Sequence, residues 1–287
     1  MVHLLVNRDL SLQPGEVFSA AFCDLQVNGF AGTDFNDPQV NAAAYARAVE
    51  EQWKTGVTRF LPTIITAGHA EMCQCLRAAA HAAHAPRTGA SIAGIHLEGP
   101  WVSPDDGPRG AHPRQHVRAP DRQEFLRLQD AADGRIRLVT LAPEWPGAPS
   151  VIAWLVERGI HVSLGHTAAS GAQIADAVRA GARLSTHLGN GCAEMLHRHH
   201  NPIWEQLACD ELSVSLIADG HHLPPGVVKS MIRAKGPGRT FLVTDASAPA
   251  TSSASAFDSP ATSTASAFDS PATSSASAFD SPATSSA

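Results

Sequence analysis

The stretch IRLVTLAPEWPGAPSVIAWLVERGIHVSLGHT, residues 136–167, decides the fold. It opens on an apolar, β-branched run, IRLVTLA, of strand length. A helical pattern, PSVIAWLVERG, follows, and a second strand-like run, HVSLGH, closes it. Strand, helix, strand in this order predicts a right-handed crossover between two parallel strands. The same unit recurs on both sides. Strand-like runs are AFCDLQV, TRFLPTII, SIAGIHL, IRLVTLA, HVSLGH, RLSTHL, VSLIAD and TFLVTD. Between them lie the helical patterns NAAAYARAVEEQW, HAEMCQCLRAAAHAA, DRQEFLRLQDAA, PSVIAWLVERG, SGAQIADAVRAG, PIWEQLA and PPGVVKSMIRA. Eight such strands fit a closed α/β fold, the (β/α)8 TIM-type barrel. The alternative is an open doubly wound sheet. No Gly-rich phosphate fingerprint follows the first strand, which favours the barrel.

The two ends of the chain differ from this middle. Residues 1–20 read as a short strand pair turning at QPGE. In residues 247–287, Phe257, Phe268 and Phe279 recur every eleven residues inside ASAFDSPAT. An eleven-residue period can mark a coiled coil, but each repeat holds a Pro and no Leu, Ile or Val. Such a segment cannot offset its ordering entropy, so a disordered low-complexity tail is expected. The chain thus divides into 1–20, a barrel at 21–246, and the tail.

Bulk composition narrows the function. With 44% hydrophobic residues in 287, a sizeable core can form. Net charge is −6, with no basic run, which argues against nucleic acid as a partner. The five Cys are scattered without a Cys-x-x-Cys, the pattern of reduced thiols. The first twenty residues lack the charged start and long apolar stretch of a signal peptide, and no run is long enough to span a membrane. A cytoplasmic location is expected. The 15 His are numerous, and many stand beside Gly, Asp or Glu, a first pointer to metal chemistry.

In barrels of this kind, chemistry gathers at the C-terminal ends of the strands. Strand one ends in Asp24, Gln26 and Asn28; strand three in Glu98; strand five in His166; strand six in His187 and Asn190; strand seven in Asp219, His221 and His222; strand eight in Asp245. Singly, each has a plain reading as loop or capping chemistry. Together, one carboxylate and two imidazoles on strands three, five and six make a three-ligand catalytic metal site with an open position for water. Asp245 points at the same mouth and is placed to take a proton from that water.

The motifs DLQVNGFAGTDFND, GIHLEGPWVSP, GAHP, LAPE, LGHT, THLGNG, ADGHH and LVTDA follow one another in order. From about Ala21 to Ala246 the chain resembles the N-acetylglucosamine-6-phosphate deacetylases of the amidohydrolase superfamily. The resemblance implies a metal-dependent (β/α)8 barrel beside a small β-sandwich built from both termini. It implies that Glu98, His166 and His187 hold the metal and that Asp245 is the general base and later the acid. It places His112 near the acetamido carbonyl, His222 on the sugar, Asn190 and Gly191 at the phosphate, and Arg198 as a phosphate-binding Arg reaching across a homodimer interface. The substrate implied is a phosphorylated amino sugar. The family continues well past the TDA strand, so a chain lacking its last helix and most of the sandwich, a truncated form, is expected.

Strand one departs from the two-metal pattern of the superfamily, His-x-His. Here the pair is Gln26 and Asn28, and neutral amides are poor ligands beside stronger donors. One divalent ion, Zn2+ or Fe2+, is therefore expected, with Gln26 orienting water or the ligand groups. The tract HRHH at 197–200 offers a second metal site as the minor reading and a polar surface loop as the major one. Two further readings stay open: an amidohydrolase acting on another acetylated sugar or amide, and an inactive barrel.

Overall fold

The computed structural model describes residues 20–236 and 238–251. The strand pair expected before residue 20 and the repeats beyond 251 lie outside the described residues. Eight strands form one parallel sheet in sequential order. They are β1 (Phe22–Val27), β2 (Val57–Ile65), β3 (Ile95–Glu98), β4 (Ile136–Leu141), β5 (His161–Leu164), β6 (Leu184–Ser185), β7 (Ser213–Leu216) and β8 (Thr240–Leu242). Seven helices alternate with them: α1 (Ala42–Trp53), α2 (His69–Ala82), α3 (Arg122–Ala131), α4 (Ala148–Val156), α5 (Gly171–Arg179), α6 (Pro202–Ala208) and α7 (Pro225–Lys235). Residues 136–167 indeed form a strand, a helix and a parallel neighbour, with Leu138 opposite His161 and Leu141 opposite Leu164.

The sheet closes on itself. Just beyond β8, Ala246 forms a parallel bridge with Val27 at the end of β1. The amides of Asn28 and Gly29 donate to the Ala246 carbonyl at 2.7 and 3.1 Å, and that of Asp245 to the Gln26 carbonyl at 3.0 Å. A carboxylate reinforces the seam: Asp24 accepts from the Thr244 amide at 3.1 Å and its hydroxyl at 2.6 Å. Closure makes the fold a TIM-type barrel rather than an open sheet. Ordered contacts continue past residue 246, where the sequence suggests the barrel ends. The carbonyls of Ala248 and Ala250 accept from Gly32 and Ala31, on a small hairpin formed by Gly29–Phe30 and Thr33–Asp34.

The helices are started by local chemistry. Asn41, Asp121, Ser170 and Asn201 cap α1, α3, α5 and α6 with side-chain oxygens on the first-turn amides. Each helix then buries an apolar stripe on the sheet: Tyr45, Ala48 and Val49 from α1, Met72, Leu76 and Ala79 from α2, Ile152 and Leu155 from α4. Phe35, Tyr45 and Phe60 stack in the largest cluster, with ring centroids 4.4 and 5.9 Å apart. A second cluster, built around Leu188, Val214, Leu216 and Met231, lies under α6 and α7.

Inside the barrel, the layer below the strand ends is polar. His96 Nε2 meets the Thr140 hydroxyl at 2.7 Å, Thr140 meets Thr186 at 2.7 Å, and Ser163 meets Thr186 at 2.6 Å. All four side chains are buried, and each polar group has a partner, as the low dielectric there requires. Burial holds His96 down to about 4, so it is a neutral member of this network. No helix among the described residues is long and apolar enough to cross a membrane.

Candidate metal centre and active site

Three strand ends deliver three ligand atoms to one point. Glu98 closes β3, and the adjoining Gly99 has φ of +83°. A Cβ at Gly99 would sit 2.2 Å from the Thr66 hydroxyl, so only glycine allows the chain to turn away there. His166 follows β5 with φ of +49°, and His187 follows β6 with φ of +29°. Asp245, beyond β8, has φ of +51°. Non-glycine residues rarely occupy this region, and such strain concentrates at functional sites. At these three positions it turns the side chain onto the mouth.

His187 Nε2 lies 3.1 Å and His166 Nε2 3.3 Å from Glu98 Oε1, and the two imidazole nitrogens are 3.1 Å apart. Glu98, His166 and His187 are the one group among the described residues whose ligand atoms gather this way, all within 4.8 Å of one another. All three are buried. His166 Nδ1 is 3.0 Å from the Pro108 carbonyl. A carbonyl can only accept, so the proton is on Nδ1 and Nε2 presents a bare lone pair. Burial alone would push Glu98 up, but the two imidazoles hold it well below the usual carboxylate range. Burial likewise disfavours a charged His187, yet the Glu98 carboxylate lifts it to about 9. A buried anion that drags a proton onto its neighbour is a site that demands positive charge. Two nitrogen donors and one carboxylate oxygen fit a borderline divalent cation.

Around these three, β1 supplies the support. Gln26 Nε2 donates to Glu98 Oε1 at 2.9 Å. Asn28 Nδ2 donates to Asp245 Oδ1 at 2.6 Å. Burial, and then the Glu98 charge, raise Asp245 to about 6, with His187 and Asn28 opposing. His112 packs edge-on against His166, 4.3 Å between centroids, and its Nδ1 meets the Thr66 hydroxyl at 2.7 Å. Burial, and then the neighbouring His166, hold His112 down to about 3, so it is neutral. Asn190 donates to the His187 carbonyl at 3.1 Å, and the Gly191 carbonyl accepts the Thr167 amide at 3.2 Å. A Cβ at Gly191 would lie 2.9 Å from the His166 backbone nitrogen and 3.0 Å from its Nδ1, so a side chain there would displace His166. Both residues thus steady the imidazoles, whatever else they meet.

Two of the sequence-derived site residues stand apart. His222 is exposed and pairs with Asp219, Nδ1 to Oδ2 at 2.7 Å. Arg198 is exposed in the loop leading to α6. The tract at 197–200 does not build a second centre. His197 Nδ1 instead accepts the amides of His199 and His200 at 3.3 and 3.0 Å. Sequence reading missed Thr66 and Glu144, whose roles depend on partners far along the chain.

The amidohydrolase family model matches residues 6–247. The chain belongs to the amidohydrolase family. Among curated relatives of this amidohydrolase is an N-acetylglucosamine-6-phosphate deacetylase of Bacillus subtilis (strain 168), 36% identical over 244 residues, covering 83% of this chain and 60% of the relative. An N-acetylgalactosamine-6-phosphate deacetylase of Shewanella is 37% identical over 239 residues, covering 83% of this chain and 59% of that protein. The amidohydrolase therefore spans about 60% of the length of the curated relatives it matches. A solved N-acetyl-D-glucosamine-6-phosphate deacetylase from Mycobacterium smegmatis superposes with a TM-score of 0.72 at 34% identity, over 79% of this chain and 63% of the other. A mutant of the same enzyme was solved in complex with N-acetyl-D-glucosamine-6-phosphate, with the same TM-score and identity, over 79% of this chain and 57% of the other.

Proposed function

We propose that this amidohydrolase cleaves the acetamide of an N-acetylated hexosamine 6-phosphate, N-acetylglucosamine 6-phosphate first, with Glu98, His166 and His187 holding one divalent ion, Zn2+ or Fe2+. The observation that carries this reading is the convergence of one carboxylate and two imidazoles, with Asp245 beside them. The chemistry such an ion supplies is Lewis acidity at neutral pH, toward a water and an amide carbonyl. Asp245 takes the proton of the attacking water as the new C–O bond forms. His112 donates from Nε2 to the carbonyl oxygen as charge develops there; the Thr66 hydroxyl, by donating to Nδ1, keeps the proton on Nε2. The C–N bond breaks as Asp245 passes its proton to the departing nitrogen, leaving acetate and the free amino sugar phosphate. Asn28 holds one oxygen of Asp245 and leaves the other for this shuttle.

Gln26 is read as orienting Glu98 and the bound sugar's acetamide end. Asn190, Gly191, Arg198 and His222 are read as contacts to the sugar phosphate, with Arg198 serving a second copy in a homodimer. The chemistry is placed in the barrel of residues 21–246. A cytoplasmic enzyme of amino-sugar metabolism is the corresponding setting. A second reading, the galactosamine epimer as substrate, is favoured by the Shewanella relative, whose identity matches that of the Bacillus one.

The test is direct. Purified protein should carry about one zinc or iron per chain and release acetate from N-acetylglucosamine 6-phosphate. It should release far less from the sugar without its phosphate. Activity on the galactosamine epimer alone would install the second reading, and a protein that binds no divalent ion would end both.

A further inference from the structure

His166 occupies left-handed backbone, φ +49°, a conformation uncommon for residues other than glycine. Its surroundings hold it there. The Nδ1 proton goes to the Pro108 carbonyl, and the His166 carbonyl accepts the Ser103 amide at 2.8 Å. These two bonds hold the ring and the peptide after it. The turn itself is gripped from another element. Glu144, in the loop after β4, accepts the Thr167 hydroxyl on Oε2 at 2.5 Å and the Ala168 amide on Oε1 at 2.8 Å. Both carboxylate oxygens are thus spent on the two residues that directly follow the ligand. Thr167 is buried and in turn accepts the Ala169 amide at 2.9 Å, so the clamp continues to the start of α5.

We infer that Glu144 is a positioning residue for the metal centre: its carboxylate clamps the Thr167–Ala168 turn and so holds His166 Nε2 on the point it shares with Glu98 and His187. This inference rests on the metal reading above. Three facts separate it from ordinary loop stabilisation. The clamped residues adjoin a ligand in strained backbone. The carboxylate comes from a different strand end, so it fixes β4 and β5 relative to each other at the mouth. Finally, Ala168 is exposed. Its amide is within reach of water, so the Oε1 bond is not needed to satisfy a buried donor.

The experiment compares holoenzyme variants Glu144→Ala, Thr167→Val and Thr167→Ser with the unaltered protein. Zinc affinity is measured by competition with a chromogenic chelator, and the melting midpoint is measured after metal removal. Removing either half of the clamp should weaken zinc binding by about 10- to 100-fold, the usual effect of losing a group that orients a ligand. Thr167→Ser keeps the hydroxyl and should restore zinc affinity to near that of the unaltered protein. Should Glu144→Ala fail to fold, Thr167→Val, nearly isosteric, decides the matter alone. Zinc affinity unchanged in the folded variants, with only the metal-free midpoint lowered, overturns the inference and leaves Glu144 a structural residue. If the unaltered protein itself binds no zinc, the metal reading fails first, and the clamp's purpose with it.

Discussion

Asp245 shows how much one side chain is asked to do. In the proposed reaction it must be ionised to accept a proton, yet burial and the Glu98 charge raise it to about 6. Turnover should therefore fall as pH drops through the Asp245 value. A cation held beside it lowers that value, so the inflection in kcat/KM for the loaded enzyme is expected at or below about pH 6. The same shift has an opposite consequence for stability. The native carboxyl binds its proton more tightly than the unfolded one, whose ordinary value is 3.8. Stability is then lost as pH rises from about 4 through about 6. In metal-free protein, Asp245→Asn should be more stable than the unaltered chain at pH 7, by about 1–3 kcal/mol, with the difference gone below the unfolded value. It should also bind metal while losing nearly all acetate release. Melting at two pH values, with metal content, checks both halves; an Asn variant that keeps near-normal kcat removes Asp245 from the mechanism. Residues of this kind were legible in the sequence because several strand ends carry such side chains together. Glu98, His166, His187 and Asp245 each end an apolar run. Thr66 and Glu144 were not legible, because their meaning lies in partners on other elements, His112 and Thr167.

At the scale of the element, β1 ties the site to the closing seam by hydrogen bonds. Its alternating polar residues each grip a different partner: Asp24 grips Thr244, Gln26 grips Glu98, and Asn28 grips Asp245. Asn28 follows directly on β1, and the register of β1 against β2 shifts between Asp24 and Val27, within this stretch. Asp24 accepts three hydrogen bonds, the third from the Gln26 amide at 3.0 Å, and is buried, so burial raises its pKa. Asp24→Ala would orphan the Thr244 donors inside the seam and should cost about 2–4 kcal/mol in urea unfolding. Asp24→Asn, which keeps one acceptor oxygen, should cost roughly half as much. Equal midpoints for the Ala variant and the unaltered chain would mean that the seam does not depend on this carboxylate. The eight strands and seven helices could be read because most of them bury a repeating apolar pattern within a longer apolar run. The hairpin at Gly29–Asp34 could not: each of its strands has two residues, too few to show a period, and its partners are Ala248 and Ala250, far away in sequence.

For the molecule as a whole, the barrel is not equally strong all round. β3 to β5 are paired along their lengths and covered by α2 to α4, with Leu97, Val139 and Leu164 fully buried. The closing seam is thinner. β8 pairs with β7 over Thr240–Leu242, and β1 meets the chain beyond β8 at a single bridge. On that side, Phe22 and Leu242 expose 61% and 57% of their surface, so little apolar burial offsets the cost of ordering it. Local opening should therefore begin at the seam. In hydrogen exchange, the amides of Asn28, Gly29 and Asp245 are expected to exchange well before those of Leu97, Val139 and Leu164, at an opening free energy below that of global unfolding. Asp24→Ala should lower protection at the seam further while leaving the β3–β5 amides at the global value, corrected for any loss of overall stability. Uniform protection around the barrel would show instead that the seam opens only with the whole. Because Asp245 sits on this seam and the three metal-binding candidates do not, metal retention and turnover should separate on mild destabilisation: in low urea, acetate release should decline before bound zinc is lost.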